Sequence, residues 1–214
     1  MNLEEDIHNN LPFPSKLKKY ALVRGSYLYY HYKCDGVNDA GWGCAYRTLQ
    51  TICSWIVKQE NIKYLVEIPS INDIQTALVK VGDKPESFIN SRQWIGSLEI
   101  SYCIDYFYKI LCRILHCKDV KEVQSHTSSI FNHFQEYGSP IMMGGDRDCS
   151  SKGILGICET EIGMHLLILD PHCRGPTVSK ENLQCEGWIK WLKIDDLDHS
   201  SFYNLCYPLL KAAV

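Results

Sequence analysis

Two short stretches carry side chains able to do chemistry together. In CDGVNDAGWGCAYRTLQ, residues 34–50, Cys44 follows a Gly-Trp-Gly collar, and in LLILDPHCRG, residues 166–175, Asp170 and His172 flank a proline. A cysteine attacks only as its thiolate, so it needs a base, and the base needs a partner that fixes its orientation. Cysteine, histidine and aspartate fill those three places. Gly41 and Gly43 permit backbone angles closed to other residues and let a substrate chain approach, with Trp42 between them as a wall.

The placement of these residues matters as much as their type. Ala45, Leu49, Ile52 and Ile56 recur on one helical face, which predicts a helix starting at or near Cys44. A thiol in a first helical turn is stabilised as thiolate by unpaired N–H groups and the positive end of the dipole. The same N–H groups can face an oxyanion. In ILDPHC, Pro171 fixes its own φ and biases Asp170 toward extended backbone, so the Asp170 and His172 side chains emerge together at a strand end. Each motif alone keeps a plainer reading open, a buried cysteine after a turn in one case and an ordinary Asp-Pro turn in the other. His126, His133, His165 and His199 compete as bases, but only His199 has an acid beside it, Asp198, in a polar run that reads as loop.

The elements that must position these groups change character along the chain. Residues 20–33, YALVRGSYLYYHYK, are rich in β-formers and read as one or two strands around Gly25. Helices follow. Ser70 and Asp73 form a capping box before Ile71, Ile74 and Leu78, with Gly82 as the stop. Ile100, Ile104, Phe107, Leu111 and Ile114 make a second helical stripe, and residues 129–138 end a third helix at Gly138. From Pro140 onward IMMGG, KGILGIC, MHLLILD, GWIKWLKI and SFYNLCYPL read as strands of a largely antiparallel sheet. The expected class is α+β, with helices packed against that sheet. Residues 1–19 are read as a flexible leader and 20–214 as a single domain.

Composition removes several classes of function. The chain has 214 residues, 45% of them hydrophobic, enough for a substantial core. Its formal charge of −3 gives no basic excess for nucleic acid, and Lys16, Lys18 and Lys19 read as a solvated face. No apolar run approaches the roughly eighteen residues of a membrane span, and no signal peptide is read at the polar start. Eleven cysteines cannot all pair within the chain, and no CxxC knuckle is present to hold zinc. The expectation is therefore a cytoplasmic monomer without metal, in which Cys53, Cys103, Cys112, Cys117, Cys158 and Cys206 are mostly small core residues.

GWGCAYRTLQ, preceded by HYKCDG and followed by GDKPESF, RQWIGSLE, IMMGGD, LILDPH and SFYNLC, resembles the ubiquitin-fold modifier-specific cysteine proteases. The resemblance runs from about Tyr27 to Leu209 and is closest to the short form of that family, without the long N-terminal extension. It implies a papain-like fold, with Cys44 as nucleophile, His172 as general base and Asp170 as its orienting acid. It also implies that Tyr32, in HYKCDG, donates to the oxyanion, although Tyr27, Tyr29 and Tyr30 crowd the same segment. By resemblance the substrate is the ubiquitin-fold modifier, cut after its C-terminal glycine both in the precursor and in lysine conjugates, with no cofactor. A slot lined by Gly41, Trp42 and Gly43 suits a tail ending in Val-Gly. Three alternatives stand beside this: a protease of the autophagy modifier, which shares the GWGC and DPH elements; a module that binds the modifier without cutting it; and a cysteine-rich structural or redox protein.

Overall fold

Helix α1 (Cys44–Val57) starts where the apolar spacing places it, but every residue from Cys44 to Ile56 is buried, the polar ones included. Those polar side chains serve the neighbouring chain. In the computed structural model, which describes residues 3–59, 67–147, 150–174 and 179–213, strand β1 (Leu17–Leu22) takes only the start of the aromatic run expected to form strands. Past Gly25, which turns at φ +81°, the backbone bonds to α1 instead. The Leu28 N–H donates to Ser54 Oγ at 2.9 Å and the Tyr30 N–H to Thr51 Oγ1 at 3.0 Å. Helix hydroxyls here satisfy amides that a strand neighbour would otherwise take. Strand-like pairing in this stretch shrinks to isolated bridges, Glu5 with Leu28 and Tyr32 with Arg174.

The leader touches the rest of the chain through Asp6 and Ile7. Ile7 is fully buried, and the Asp6 carboxylate accepts from the Ser26 hydroxyl at 2.8 Å and the Tyr27 N–H at 2.9 Å. Gln184 donates to the Ile7 carbonyl at 2.7 Å. These contacts rest on one buried isoleucine and one hydrogen-bonded carboxylate in an otherwise polar segment.

Helix α2 (Ile71–Lys80) carries the capping box: Ser70 Oγ accepts the Asp73 N–H at 3.1 Å and the Asp73 carboxylate accepts the Ser70 N–H at 2.9 Å. Helix α3 (Ser97–Tyr108) is shorter than its apolar stripe. Lys109 adopts left-handed backbone at φ +57°, Leu111 is exposed, and Ile114 belongs to strand β2 (Cys112–Cys117). Helices α4 (Val120–Ser125) and α5 (Thr127–Glu136) follow, the second before a turn at Gly138, φ +77°. Further on come β3 (Ile141–Gly145), β4 (Ser151–Thr160), β5 (Gly163–Leu169), α6 (Lys180–Cys185), β6 (Ile189–Lys193) and β7 (Tyr203–Pro208). α4 and α6 begin at Asp119 and Ser179, whose side chains accept the N–H groups of Glu122 and Asn182.

The strands make one antiparallel sheet in the order β2-β7-β3-β4-β5-β6. Strand β4 shares one edge between two partners, β3 along Ser151–Ile154 and β1 along Gly156–Thr160. Its consecutive residues Gly153 to Cys158 are buried, so both faces are covered; α1 and α5 both pack against it. Among the described residues no helix is long and apolar enough to cross a membrane.

Candidate active site

Cys44 opens α1 after Gly43, with no side-chain cap and no acidic residue in the first turn. The helix head is thus left positive and its N–H groups unclaimed by a carboxylate. Opposite stands the turn that follows β5. The Asp170 N–H makes a last ladder-like bond to the Trp188 carbonyl at 2.8 Å, and Pro171 then ends pairing. Asp170 Oδ1 accepts both the His172 backbone N–H at 3.0 Å and Nδ1 at 2.5 Å. This Asx turn, rather than an extended strand end, puts the two side chains together. With Nδ1 taken, the hydrogen bond between His172 and the Cys44 sulfur falls to Nε2.

The charges follow from these bonds. Burial disfavours the Cys44 thiolate, but hydrogen bonds from His172 and the Ser151 N–H, the His172 charge and the Tyr32 hydroxyl bring the thiol below its ordinary value. Burial likewise opposes the imidazolium, yet the bonds to Asp170 and Cys44 raise His172 to about 9. The Asp170 carboxyl lies below its usual range, burial being outweighed by its bonds with His172. Both shifts run toward a thiolate–imidazolium pair. Other thiols go the opposite way: burial pushes Cys53 up to about 12 and Cys117, Cys158 and Cys173 up to about 11.

Tyr32 is brought to the same point from the loop before α1. Its N–H donates to the Pro171 carbonyl at 3.0 Å and its ring stands edge-on to His172 at 5.1 Å. Burial and the neighbouring Cys44 push its phenol up, so the hydroxyl stays a donor; it reaches the Cys44 sulfur and accepts from the Gly41 N–H. Tyr29 holds the other flank, its hydroxyl donating to the Asp170 carbonyl at 2.5 Å. The competing histidines bond elsewhere, His133 to Ser139, His165 to Gly163 and His199 to the Asp195 carbonyl.

Beside Cys44 lies a cleft of about 340 Å³. Trp42 lines it, with Trp94, Met142, Ser151 and Phe202, but Gly41 and Gly43 do not. Gly41 is required by its own backbone, at φ +89°, and its carbonyl accepts from Trp94 Nε1 at 3.3 Å. Gly43 is required by packing, since a Cβ there would lie 2.3 Å from Asp39 Oδ2. The cleft residues Trp94 and Phe202 were not singled out from sequence. The available signal was the aromatic residues of RQWIG and SFYN, two of the segments that carry the family resemblance; in the structure Trp94 is more than half exposed.

A thiolate primed by an aspartate-held imidazolium beside an open cleft is the chemistry of a cysteine peptidase, here on a papain-like arrangement of nucleophile helix and antiparallel sheet. The chain belongs to peptidase family C78, whose model matches residues 18–206. It is 42% identical over 212 residues to the Ufm1-specific protease 1 of Mus musculus, covering 97% of this chain and 94% of that one. It is 41% identical over 189 residues to the Ufm1-specific protease 2 of Mus musculus, covering 87% of this chain but 40% of the longer protein. The crystal structure of UfSP from C. elegans superposes with a TM-score of 0.84 at 31% identity, covering 99% of this chain and 38% of that one.

Proposed function

We propose that this chain is a Ufm1-specific cysteine protease that cuts after the C-terminal glycine of the modifier, maturing its precursor and releasing it from lysines of conjugated proteins. The observation that carries this reading is the Cys44–His172–Asp170 constellation at the head of α1, in a chain that spans 94% of a Ufm1-specific protease 1. Each side chain has one role. The Cys44 thiolate attacks the glycine carbonyl, and the Tyr32 hydroxyl and the helix-head N–H groups receive the developing oxyanion. His172 gives its proton to the departing amine, leaving a thioester on Cys44. Asp170 holds the ring and supports its charge. Water then loses a proton to His172 and attacks the thioester, freeing the glycine carboxylate and restoring the thiolate.

The cleft beside Cys44 is the place for a narrow substrate tail, with Trp42 and Trp94 as its aromatic walls. Action as a monomer in the cytoplasm belongs to the same proposal.

The test is intact-protein mass after mixing the chain with Ufm1 bearing a C-terminal electrophile, with the autophagy modifier and ubiquitin alongside. One adduct with Ufm1 alone, lost in Cys44→Ser, is the expected result. Adducts with the autophagy modifier instead overturn the substrate, and no adduct from folded protein overturns the enzyme mechanism.

A further inference from the structure

Tyr32 and Cys44 come from different segments, and one buried side chain joins them. Asp39 is fully buried. Its Oδ1 accepts the Lys33 N–H, the amide directly after Tyr32, at 2.8 Å. Its carbonyl accepts the Gly43 N–H, directly before Cys44, at 2.8 Å. Its Oδ2 accepts from Arg47 Nε, one turn into α1, at 2.7 Å. Arg47 is buried as well, and the rest of its guanidinium is spent on Asp35 at 2.7 and 2.8 Å and on Gln50 Oε1 at 2.9 Å.

Such a cluster is poor value as a stabiliser. A carboxylate and a guanidinium taken out of water, as Asp39 and Arg47 are, need full pairing, here completed by the exposed Asp35, and an apolar replacement of like volume is often as stable. What the cluster supplies is geometry. The planar fork of Arg47 fixes both carboxylates against α1, and Asp39 passes that fix to the backbone on either side of the reacting groups. Gly43 leaves no slack in the joint, because any side chain there collides with Asp39.

We propose that Asp39 is a positioning residue that sets the Tyr32 hydroxyl against Cys44, with Arg47 clamping its carboxylate. This rests on the reading of Tyr32 as oxyanion donor. A displacement of roughly 1 Å at a reacting group can cost about 10²-fold in rate, so the joint matters although it touches no substrate.

The experiment is a double-mutant cycle on Ufm1 precursor cleavage with Asp39→Asn and Tyr32→Phe. Asparagine can still accept the Lys33 N–H but no longer pairs with the guanidinium. Asp39→Asn is expected to lower kcat about 10–100-fold with KM little changed, and to cost less than about threefold once Tyr32 is already phenylalanine. Alkylation of Cys44 by iodoacetamide, which needs the thiolate and no oxyanion donor, is expected to stay within about twofold, because His172 and the Ser151 N–H hold the thiolate more strongly than the Tyr32 hydroxyl does. Equal costs in both backgrounds, or a parallel loss of alkylation, overturn the proposal as a mere loss of structure. Full activity in Tyr32→Phe instead overturns the Tyr32 reading, and the proposal with it. If Asp39→Asn does not fold, Arg47→Lys and Asp35→Asn carry the same cycle with smaller losses, and additive costs there are equally decisive against it.

Discussion

Cys44 and Cys53 sit on the same helix and are both buried, yet burial pushes Cys53 up to about 12 whereas Cys44 lies below the ordinary thiol value. Cys53 is in the interior of α1, where the helix spends its own N–H groups, and its polar neighbour is the Tyr108 hydroxyl. Cys44 has the free head of the helix, an imidazolium and the Ser151 N–H. Burial alone therefore silences a thiol; burial against donors and a cation arms it.

The sharpest way to break this comparison is to exchange the cysteines' fates. Cys44→Ser is expected to lower kcat/KM for Ufm1 precursor by about 10⁴–10⁶, and His172→Ala by a similar factor. Cys53→Ser is expected to leave kcat unchanged. Near-normal turnover in His172→Ala removes the base from the mechanism. Asp170→Asn, which keeps the shape but not the charge, is expected to cost about 10²–10⁴, and Tyr32→Phe about 10²–10³; steady-state cleavage assays measure both.

The pH dependence sharpens the same contrast. His172 keeps its proton until the pH passes about 9, so thioester formation is expected to fall as pH rises through that value and the leaving amine loses its acid. In the other direction, alkylation falls only when the pH is low enough to protonate Cys44, which lies below the ordinary thiol value. His172→Ala removes a hydrogen bond and a charge from the thiolate, so its iodoacetamide profile shifts to higher pH; an unmoved profile means that the imidazolium does not activate Cys44. The smallest effect is on stability. Cys53→Ser puts a hydroxyl in an apolar interior and is expected to cost about 1–3 kcal/mol in denaturant unfolding, with the alkylation profile unchanged.

The parts of the molecule legible in the sequence are those whose signals are local. Helix α1 starts at Cys44 as its apolar spacing requires, Ser70 and Asp73 cap α2, and Asp170 and His172 meet across a single proline. Misreadings arise where a local pattern is overruled from a distance. Leu111 and Ile114 continue the stripe of α3 by spacing alone, but the chain turns at Lys109 and pairs with β7. The residues after Gly25 look like strand because they are aromatic, and are held instead by Thr51 and Ser54. In the site, Gly41 and Gly43 also answer to a backbone angle and to Asp39, which the GWGC pattern by itself does not show. No spacing rule links Asp39 to both Lys33 and Arg47, because loop closure makes that joint. Trp94 and Phe202 reach the cleft only through the packing of distant segments.

A nucleophile carried on a helix with no solvent face has few ways to come loose by itself. Amide protons of α1 are expected to exchange only as fast as the surrounding core opens, since local fraying at its head competes with bonds from Asp39, Arg47 and Thr48. Heat inactivation of the enzyme should then track global unfolding, with the loss of activity and of near-ultraviolet circular dichroism falling on one curve. In this chain Cys44, the proposed nucleophile, doubles as a reporter of whether the core is intact.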